Sequence, residues 1–197
     1  MSRWMLALAV VAGCVPKSQY LELENQLDNC RDKLDNGPKR GGGNGPYAEI
    51  VKQLQPLVDR GVLEVAQQDG RTIIGMKSEV LFPSGSAALS PDGRGTVREI
   101  GEILARQTDL NWQVEGHTDN EPISTAEFPD NWHLGGARSV AVLQVLINSG
   151  MDPGHLSAAT FGEFSPVASN GTPTGKALNR RIEIVMLPEV RKRLRPD

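Results

Sequence analysis

A glycine-rich run at residues 36–46 divides the 197-residue chain into two unequal parts. The run has almost no apolar surface to bury and its glycines raise the entropy of the chain, so the sequence predicts a flexible linker over residues 37–46. The part after it, residues 47–188, has the length of one ordinary domain, for which roughly 100–200 residues is typical. We therefore expect a short N-terminal segment, a tether and one C-terminal domain.

The beginning of the chain has the pattern of a secretion signal. Arg3 precedes an apolar stretch over residues 4–12, which is too short to cross a bilayer because a spanning helix needs about 20 apolar residues. The stretch leads into Val11-Ala12-Gly13-Cys14, which resembles the lipobox of bacterial lipoproteins. This resemblance implies that residues 1–13 are removed and that Cys14 is acylated. The alternative is an ordinary signal peptide followed by an incidental cysteine.

The residue after the cysteine indicates whether the anchor lies in the inner or the outer membrane. Val15 stands where an aspartate would resemble an inner-membrane retention signal. We therefore expect a lipid anchor at Cys14 in the cell outer membrane, with the C-terminal domain facing the periplasm.

Residues 14–36 are expected to form a short stalk between the anchor and the linker. Apolar side chains recur there at the heptad spacing of a coiled coil, namely Tyr20, Leu23, Leu27, Cys30 and Leu34. The repeat lasts roughly two heptads, which is short for an isolated coiled coil. One interpretation is a homo-oligomer joined through residues 20–34, with Cys30 facing its counterpart; the other is a mobile spacer.

The overall charge argues against nucleic acid as a partner. The formal net charge is -3 and the pI is about 5.7, whereas nucleic-acid binding needs a basic face. A basic run closes the chain within residues 189–197, and we interpret it as a solvated tail.

The pattern of residues 47–188 predicts an α/β fold of the α+β type. The predicted helices lie at residues 47–59, 90–107 and 131–149, and the predicted strands at 62–65, 72–76, 80–82, 110–116, 157–161 and 181–186, with a hairpin turn at Asp69-Gly70 and a loop at 162–175. The β-α-β-α-β order predicts a mixed sheet that carries its helices on one face.

One arginine on the last long helix requires a partner. Arg138 is four residues from both Leu134 and Val142, so it lies on the apolar face of that helix. A guanidinium stays charged and is costly to bury alone, so it must meet a carboxylate. Asp119, in the loop after a strand, is placed to face it. The pair either binds the carboxylate and ammonium of an α-amino acid or forms a structural salt bridge; both interpretations stay open.

Several runs of the chain resemble one known family. Val114-Glu115-Gly116-His117-Thr118-Asp119, Leu134-Gly135-Gly136-Ala137-Arg138 and Asn179-Arg180-Arg181-Ile182-Glu183 resemble the three signatures of the OmpA C-terminal-like family. The runs at residues 81–86, 128–132 and 162–167 are similar to the branch found in MotB-type flagellar stator proteins. These motifs come in order along the chain, which makes the resemblance specific.

The resemblance implies non-covalent binding of peptidoglycan at the diaminopimelate residue of its stem peptide. Asp119 would hold the ammonium group and Arg138 the carboxylate, and the backbone around Thr118 and Leu134 would add hydrogen bonds.

The third signature supplies the remaining candidate residues. Asn179 and Arg181 would line or support the pocket, with Arg180 as a further candidate. One departure concerns Gly135-Gly136, because family members usually have serine after the helix leucine. Each glycine costs a helix roughly 1 kcal/mol, which puts the local helix geometry in question.

Together these features predict a lipid-anchored protein that ties the outer membrane to the cell wall, with no catalytic residue, cofactor or metal. A flagellar stator-type anchor is the first alternative, although the apolar stretch at residues 4–12 holds no acidic residue. A wall-modifying enzyme is the second, because His117, Asp119 and Glu121 are close in sequence, yet the histidines show no metal-ligand spacing.

Two further interpretations concern residues near the expected pocket. Trp112 and Trp132 are interpreted as core and pocket-wall residues, in preference to a sugar-stacking platform. Asn131 is interpreted as the cap of the Arg138 helix.

Overall fold

The computed structural model describes residues 46–68 and 71–188. The expected signal segment, stalk and basic tail lie outside the described residues, as do Cys14, Cys30 and the hairpin turn at 69–70. The linker predicted at 37–46 lies outside them too, except that residue 46 begins a helix.

The described residues fold as a five-stranded mixed sheet with helices packed against it. The helices are α1 (Pro46–Asp59), α2 (Ser78–Leu81), α3 (Pro91–Leu104), α4 (Asn131–Asn148) and α5 (Pro173–Asn179), with a 3-10 turn at Pro153–His155. The strands are β1 (Glu64–Gln68), β2 (Arg71–Lys77), β3 (Asn111–His117), β4 (Leu156–Gly162) and β5 (Arg181–Leu187). None of the helices described is both long and apolar enough to cross a membrane.

The sheet has the strand order β1-β2-β5-β3-β4. The last strand, β5, enters between β2 and β3 and runs antiparallel to both. By contrast, β3 and β4 are parallel, and α4 is the crossover that a parallel pair requires. This arrangement confirms the mixed sheet and places the end of β3 beside the start of α4 and the start of β5.

The hydrophobic core lies between the helices and one face of the sheet. Alternate strand residues point into it, and α1, α3 and α4 each add an apolar stripe. The strands contribute Ile74, Met76, Trp112, Val114, Ile182 and Ile184, and the helices Ile50, Leu54, Leu57, Val97, Ile100, Leu104, Val142, Val145 and Leu146. The intervening strand residues, among them Glu115, His117 and Glu183, belong to the opposite face.

Two local predictions are wrong. The short strand expected at residues 80–82 is replaced by α2, because a brief apolar run does not distinguish a strand from a helical turn. The loop expected at residues 162–175 is interrupted by α5, which starts at Pro173 after a Thr172 cap that accepts a hydrogen bond from the Gly175 amide.

Candidate functional site

A cavity of about 460 Å³ lies at the end of β3, beside the first half of α4. Its walls come from α2 and the turn after it, the loop after β3, α4, and Arg180. Four of the six predicted binding residues line it, namely Thr118, Asp119, Leu134 and Arg138. The cavity therefore gathers the loop and the helix that the sequence singled out.

Two glycines bring α4 close enough to the sheet to form this cavity. A Cβ at Gly116 of β3 would overlap the carbonyl oxygen of Gly135, and a Cβ at Gly135 would lie 2.5 Å from Thr160 Oγ1. The helix continues without interruption through Gly135 and Gly136. The glycine that departs from the family pattern therefore permits a close contact between helix and sheet and does not break the helix.

Arg138 is almost fully buried, with 5% of its surface exposed, as its position on the apolar helix face predicts. Its Nε donates a 2.8 Å hydrogen bond to the carbonyl oxygen of Ser86, and its guanidinium carbon lies 5.1 Å from the centroid of the Phe82 ring. Among residues 46–68 and 71–188, no carboxylate oxygen lies within 4.0 Å of its guanidinium nitrogens.

The electrostatic surroundings of Arg138 are unfavourable to its charge. Burial and, to a smaller extent, the positive charge of Arg180 lower the pKa of Arg138 to about 10, although the negative charge of Asp119 acts in the opposite direction. The guanidinium faces the cavity as a cation whose charge the described residues neutralise only in part.

Asp119 is also buried, but its charge is neutralised. Its Oδ2 accepts a 2.6 Å hydrogen bond from Nη1 of Arg180, and its Oδ1 accepts one of 3.1 Å from the backbone amide of Glu121. The structural salt bridge between Asp119 and Arg138, one of the two interpretations that the sequence leaves open, is absent from the described residues. Arg180 is the partner of Asp119, and it lines the cavity.

The loop that carries Asp119 is fixed to the start of α4. The side-chain amide of Asn131 donates to the carbonyl oxygen of Glu121 at 3.0 Å and to Oε2 of Glu163 at 2.7 Å. On the other side of the loop, Lys176 lies 2.7 Å from Glu121, whose carboxylate raises the pKa of Lys176. These contacts hold the loop, and with it Asp119, in one position.

The cap predicted at Asn131 is wrong by one residue. Asp130 caps α4, because its Oδ1 accepts a hydrogen bond from the amide of His133 at 2.9 Å. Aspartate and asparagine are both good caps, so the sequence alone does not separate two adjacent candidates. A hydrogen bond from the His133 side chain lowers the pKa of Asp130.

The two remaining predicted site residues lie outside the cavity lining. Asn179 is fully buried, accepts hydrogen bonds from the amides of Val167 and Ala168, and donates one to the carbonyl oxygen of Ala168. Asn179, which precedes Arg180, thus stabilises the loop before α5. Arg181 points to the opposite face of the sheet, where its Nε donates to Glu183 at 2.6 Å; as a pocket-lining residue it is replaced by its neighbour Arg180.

The backbone amides near the predicted contacts are already engaged. The amide of Thr118 donates to the carbonyl oxygen of Gly162 at 2.9 Å, and that of Leu134 donates to Asp130 at 3.2 Å. A ligand in the cavity therefore meets the side chains of Thr118 and Leu134, or the neighbouring backbone.

The aromatic residues Trp112, Trp132 and His117 lie outside the cavity lining, each in a different environment. Trp112 is a core residue, as predicted, but Trp132 is 44% exposed and stacks on Phe164 instead of forming a pocket wall. His117 ends β3 and lies on the opposite face of the sheet from Val114, so it does not join Asp119 and Glu121 in one group.

Residues 78–85 form a wall of the cavity that the sequence did not predict as part of the site. Phe82 belongs to the strand predicted at residues 80–82 and to a run that resembles the MotB-type branch, and neither feature indicates a contact with a ligand. The signal that could have found this wall is Pro83 and Gly85, which mark a tight turn directly after an apolar run.

The family model for OmpA matches residues 81–180, which is just over half of the chain. The chain belongs to the OmpA family. The match begins at the cavity wall next to Phe82 and ends at Arg180, so this OmpA-family region contains Asp119, Arg138 and Asn179.

Comparisons with individual proteins agree with this assignment. Motility protein B of Bacillus subtilis is 38% identical over 127 residues, which cover 64% of this chain and 49% of that protein. Outer-membrane lipoprotein YfiB of Pseudomonas aeruginosa is 33% identical over 115 residues, 58% of this chain and 66% of that protein. The chain thus spans about half the length of the first relative.

Solved structures share the fold. The cell wall anchor of the T6SS from Pseudomonas aeruginosa aligns with a TM-score of 0.66 and 30% identity, over 71% of this chain and 97% of that one.

Proposed function

We propose that this OmpA-family domain binds peptidoglycan non-covalently, through the diaminopimelate residue of the stem peptide. The carboxylate of that residue binds Arg138, and its ammonium group binds Asp119. One observation carries the proposal: Arg138 is buried, faces a cavity and has no carboxylate partner among the described residues.

The charges around the cavity suit a zwitterion better than a simple cation or anion. Arg138, Arg180 and Asp119 all line the cavity; Asp119 pairs with Arg180, and its negative charge also acts on Arg138. A ligand carboxylate at Arg138 supplies the charge-assisted hydrogen bonds that the protein leaves unmade. The ammonium of the same ligand shares the Asp119 carboxylate with Arg180, which also lies 4.0 Å from the carboxylate of Glu79.

The names of the relatives support an envelope location for this function. One relative is an outer-membrane lipoprotein and one structural neighbour is a cell wall anchor. In our proposal, Cys14 is acylated after removal of residues 1–13 and holds the chain in the outer membrane. Residues 14–36 and the linker at 37–46 then give the domain at 47–188 the reach to bind the wall in the periplasm. Stalk pairing through residues 20–34 and Cys30 would make the anchor bivalent.

The proposed activity is binding alone, without catalysis. The cavity is lined by two arginines, by the carboxylates of Glu79, Asp119 and Glu121, and by hydroxyl, amide and apolar side chains, and in our proposal these groups serve recognition. Similarity to Motility protein B favours a stator-type wall anchor as the second candidate. The two candidates share the peptidoglycan site and differ in the membrane part. Fractionation separates them, because a stator is an inner-membrane protein and a lipoprotein incorporates labelled palmitate at Cys14.

The experiment that tests the proposal is co-sedimentation with purified sacculi. We expect the wild-type chain to pellet with sacculi, and the Asp119→Ala and Arg138→Ala variants to stay in the supernatant while circular dichroism shows them folded. Asp109→Ala and Arg106→Ala are matched controls, because both side chains are exposed and far from the cavity lining. If the two cavity variants pellet as well as the controls, the site assignment is wrong.

A further inference from the structure

A second group of charged side chains lies on the face of the sheet opposite the helices, outside the cavity. We propose that Glu115, His117 and Glu183 form a binding site for a divalent transition metal ion of the zinc type. This proposal is independent of peptidoglycan binding, since none of the three residues lines the cavity.

The spacing of the three side chains suits a metal ion. His117 Nε2 lies 3.6 Å from Glu115 Oε2 and 3.7 Å from Glu183 Oε2, and one potential ligand atom from each residue lies within 4.8 Å of the others. Zinc bonds of about 2.0–2.2 Å at tetrahedral angles separate neighbouring ligand atoms by roughly 3.3–3.6 Å. His117 Nε2 is thus too far from either carboxylate oxygen for a hydrogen bond and close to the separation that a shared ion imposes.

The imidazole of His117 lacks partners of its own. It is 3% exposed, and neither ring nitrogen has a hydrogen-bond partner in the described structure. Buried polar groups are nearly always hydrogen-bonded, so an imidazole without partners calls for an explanation. Its ring stacks on Phe161, with centroids 5.1 Å apart and planes within 4° of parallel, which fixes the orientation of Nε2 beside the two carboxylates.

The charges of the cluster favour a cation at this position. Glu115 and Glu183 are directly opposite each other in the β3–β5 register, an arrangement in which like charges destabilise a sheet. Arg181 bonds Oε1 of Glu183, which leaves Oε2 for the metal and orients the carboxylate as outer-shell groups do. Within the described ranges, no lysine or arginine side chain lies within 4.0 Å of the Glu115 carboxylate.

The donor set indicates the class of metal. One imidazole nitrogen with two carboxylate oxygens suits zinc and similar transition metals, whereas magnesium and calcium prefer oxygen alone. The ion would join β3 to β5 just before Asp119 and just after Arg180 in the chain, on the face of the sheet opposite the cavity. Local sequence patterns do not reveal this group, because Glu183 belongs to β5 and is distant in the chain from Glu115 and His117 in β3.

Zinc titration of the full chain tests the proposal. The protein is purified in detergent with Cys14→Ser and Cys30→Ser, so that no thiol competes, and zinc binding is measured against a chromogenic chelator. We expect one equivalent of zinc to bind, and Glu115→Gln and Glu183→Gln each to weaken the affinity at least tenfold. Glu102→Gln and His133→Gln are the matched controls on exposed residues, and they should bind zinc like the parent.

A second measurement covers the case in which the buried variants unfold. The X-ray absorption spectrum of the zinc-loaded parent should show one imidazole and carboxylate oxygens around the ion. The proposal is overturned if the parent binds no stoichiometric zinc, if folded Glu115→Gln and Glu183→Gln variants bind as tightly as the controls, or if the spectrum shows no imidazole.

Discussion

The carboxylate of Asp119 lies 2.6 Å from a terminal nitrogen of Arg180, between the loop after β3 and the residue that precedes β5. Because the Asp119 carboxylate is paired with Arg180, it does not pair with Arg138. Two guanidiniums thus line the cavity: that of Arg180 is paired with Asp119, and that of Arg138 lacks a carboxylate among the described residues.

Arg138→Met should separate binding from stability. Burial lowers the pKa of Arg138 to about 10, so its charge costs the folded state on the order of 3 kcal/mol. The cost is present at neutral pH and is relieved as the pH rises above about 10, because there the unfolded chain binds more protons. The substitution also loses the hydrogen bond to Ser86 and the contact with Phe82, worth roughly 1–3 kcal/mol together.

The net expectation for Arg138→Met is a free energy of unfolding at pH 7 equal to that of the wild type or up to about 2 kcal/mol higher. Peptidoglycan affinity should fall roughly 10- to 100-fold, as charge-assisted hydrogen bonds are worth about 1.5–3 kcal/mol. Urea denaturation and sacculus binding measure the two quantities, with Arg106→Met as the control. If Arg138→Met is destabilised by several kcal/mol, the Arg138 side chain stabilises the fold, which contradicts the prediction.

Asn131→Ala should weaken binding without removing any charge from the cavity. The Asn131 amide holds the loop of Asp119 through Glu121 and Glu163, so its loss leaves the loop free to move. We expect a peptidoglycan affinity reduced about 3- to 30-fold, since one or two hydrogen bonds contribute about 0.5–1.5 kcal/mol each. Calorimetry with a soluble muropeptide gives the affinity, and Asn148→Ala at the far end of α4 is the control. Unchanged affinity would mean that the loop is held by other contacts.

Gly116→Ala should prevent α4 from packing against the sheet. The added Cβ would overlap the carbonyl oxygen of Gly135, and neither backbone can move without shifting a strand or a helix. We expect a loss of at least 3 kcal/mol in the free energy of unfolding, at the upper end of single substitutions. Gly95→Ala, inside α3 with open space around it, should instead stabilise the protein by about 0.5–1 kcal/mol. Equal changes in the free energy of unfolding for Gly116→Ala and Gly95→Ala would contradict the close contact between β3 and α4.

The stability that Asp130 provides should depend on pH in the acid range. The His133 side chain lowers the folded pKa of Asp130 below 3.8, so this contribution is present above about pH 4 and is lost as the pH falls through the folded value. Because Asp130 also caps α4, Asp130→Ala should reduce the free energy of unfolding at pH 7. The difference from wild type should shrink toward pH 3. Denaturation at a series of pH values measures it, with exposed Asp109→Ala as the control, and a constant difference would contradict the pKa argument.

The sequence predicted the elements of the fold in which apolar residues recur at a regular spacing. The apolar stripe around Val142 and the alternation around Trp112 identified α4 and β3, because long amphipathic patterns have few alternative structures. The short helices α2 and α5 were missed, since one helical turn gives too little pattern to recognise. The place of β5 between β2 and β3 depends on pairing between residues distant in sequence, which no local pattern records.

The site was predicted in part for the same reason. Helical spacing was enough to place Arg138 on a buried face, and the loop after β3 was enough to place Asp119 near it. Which arginine pairs with Asp119 depended on how β5 enters the sheet, and adjacent arginines at 180 and 181 point to opposite faces of a strand. Trp132 was misplaced because its position at the start of α4 lets it turn outward to Phe164.

The most direct test of the account is calorimetric titration of the full chain with two muropeptides that differ only in the free or amidated carboxylate of diaminopimelate. The account predicts that the free acid binds with one site per domain, and that amidation weakens binding at least tenfold in the wild type but not in Arg138→Met. If the amidated and free muropeptides bind the wild type equally well, Arg138 does not hold the ligand carboxylate and the proposed recognition is wrong.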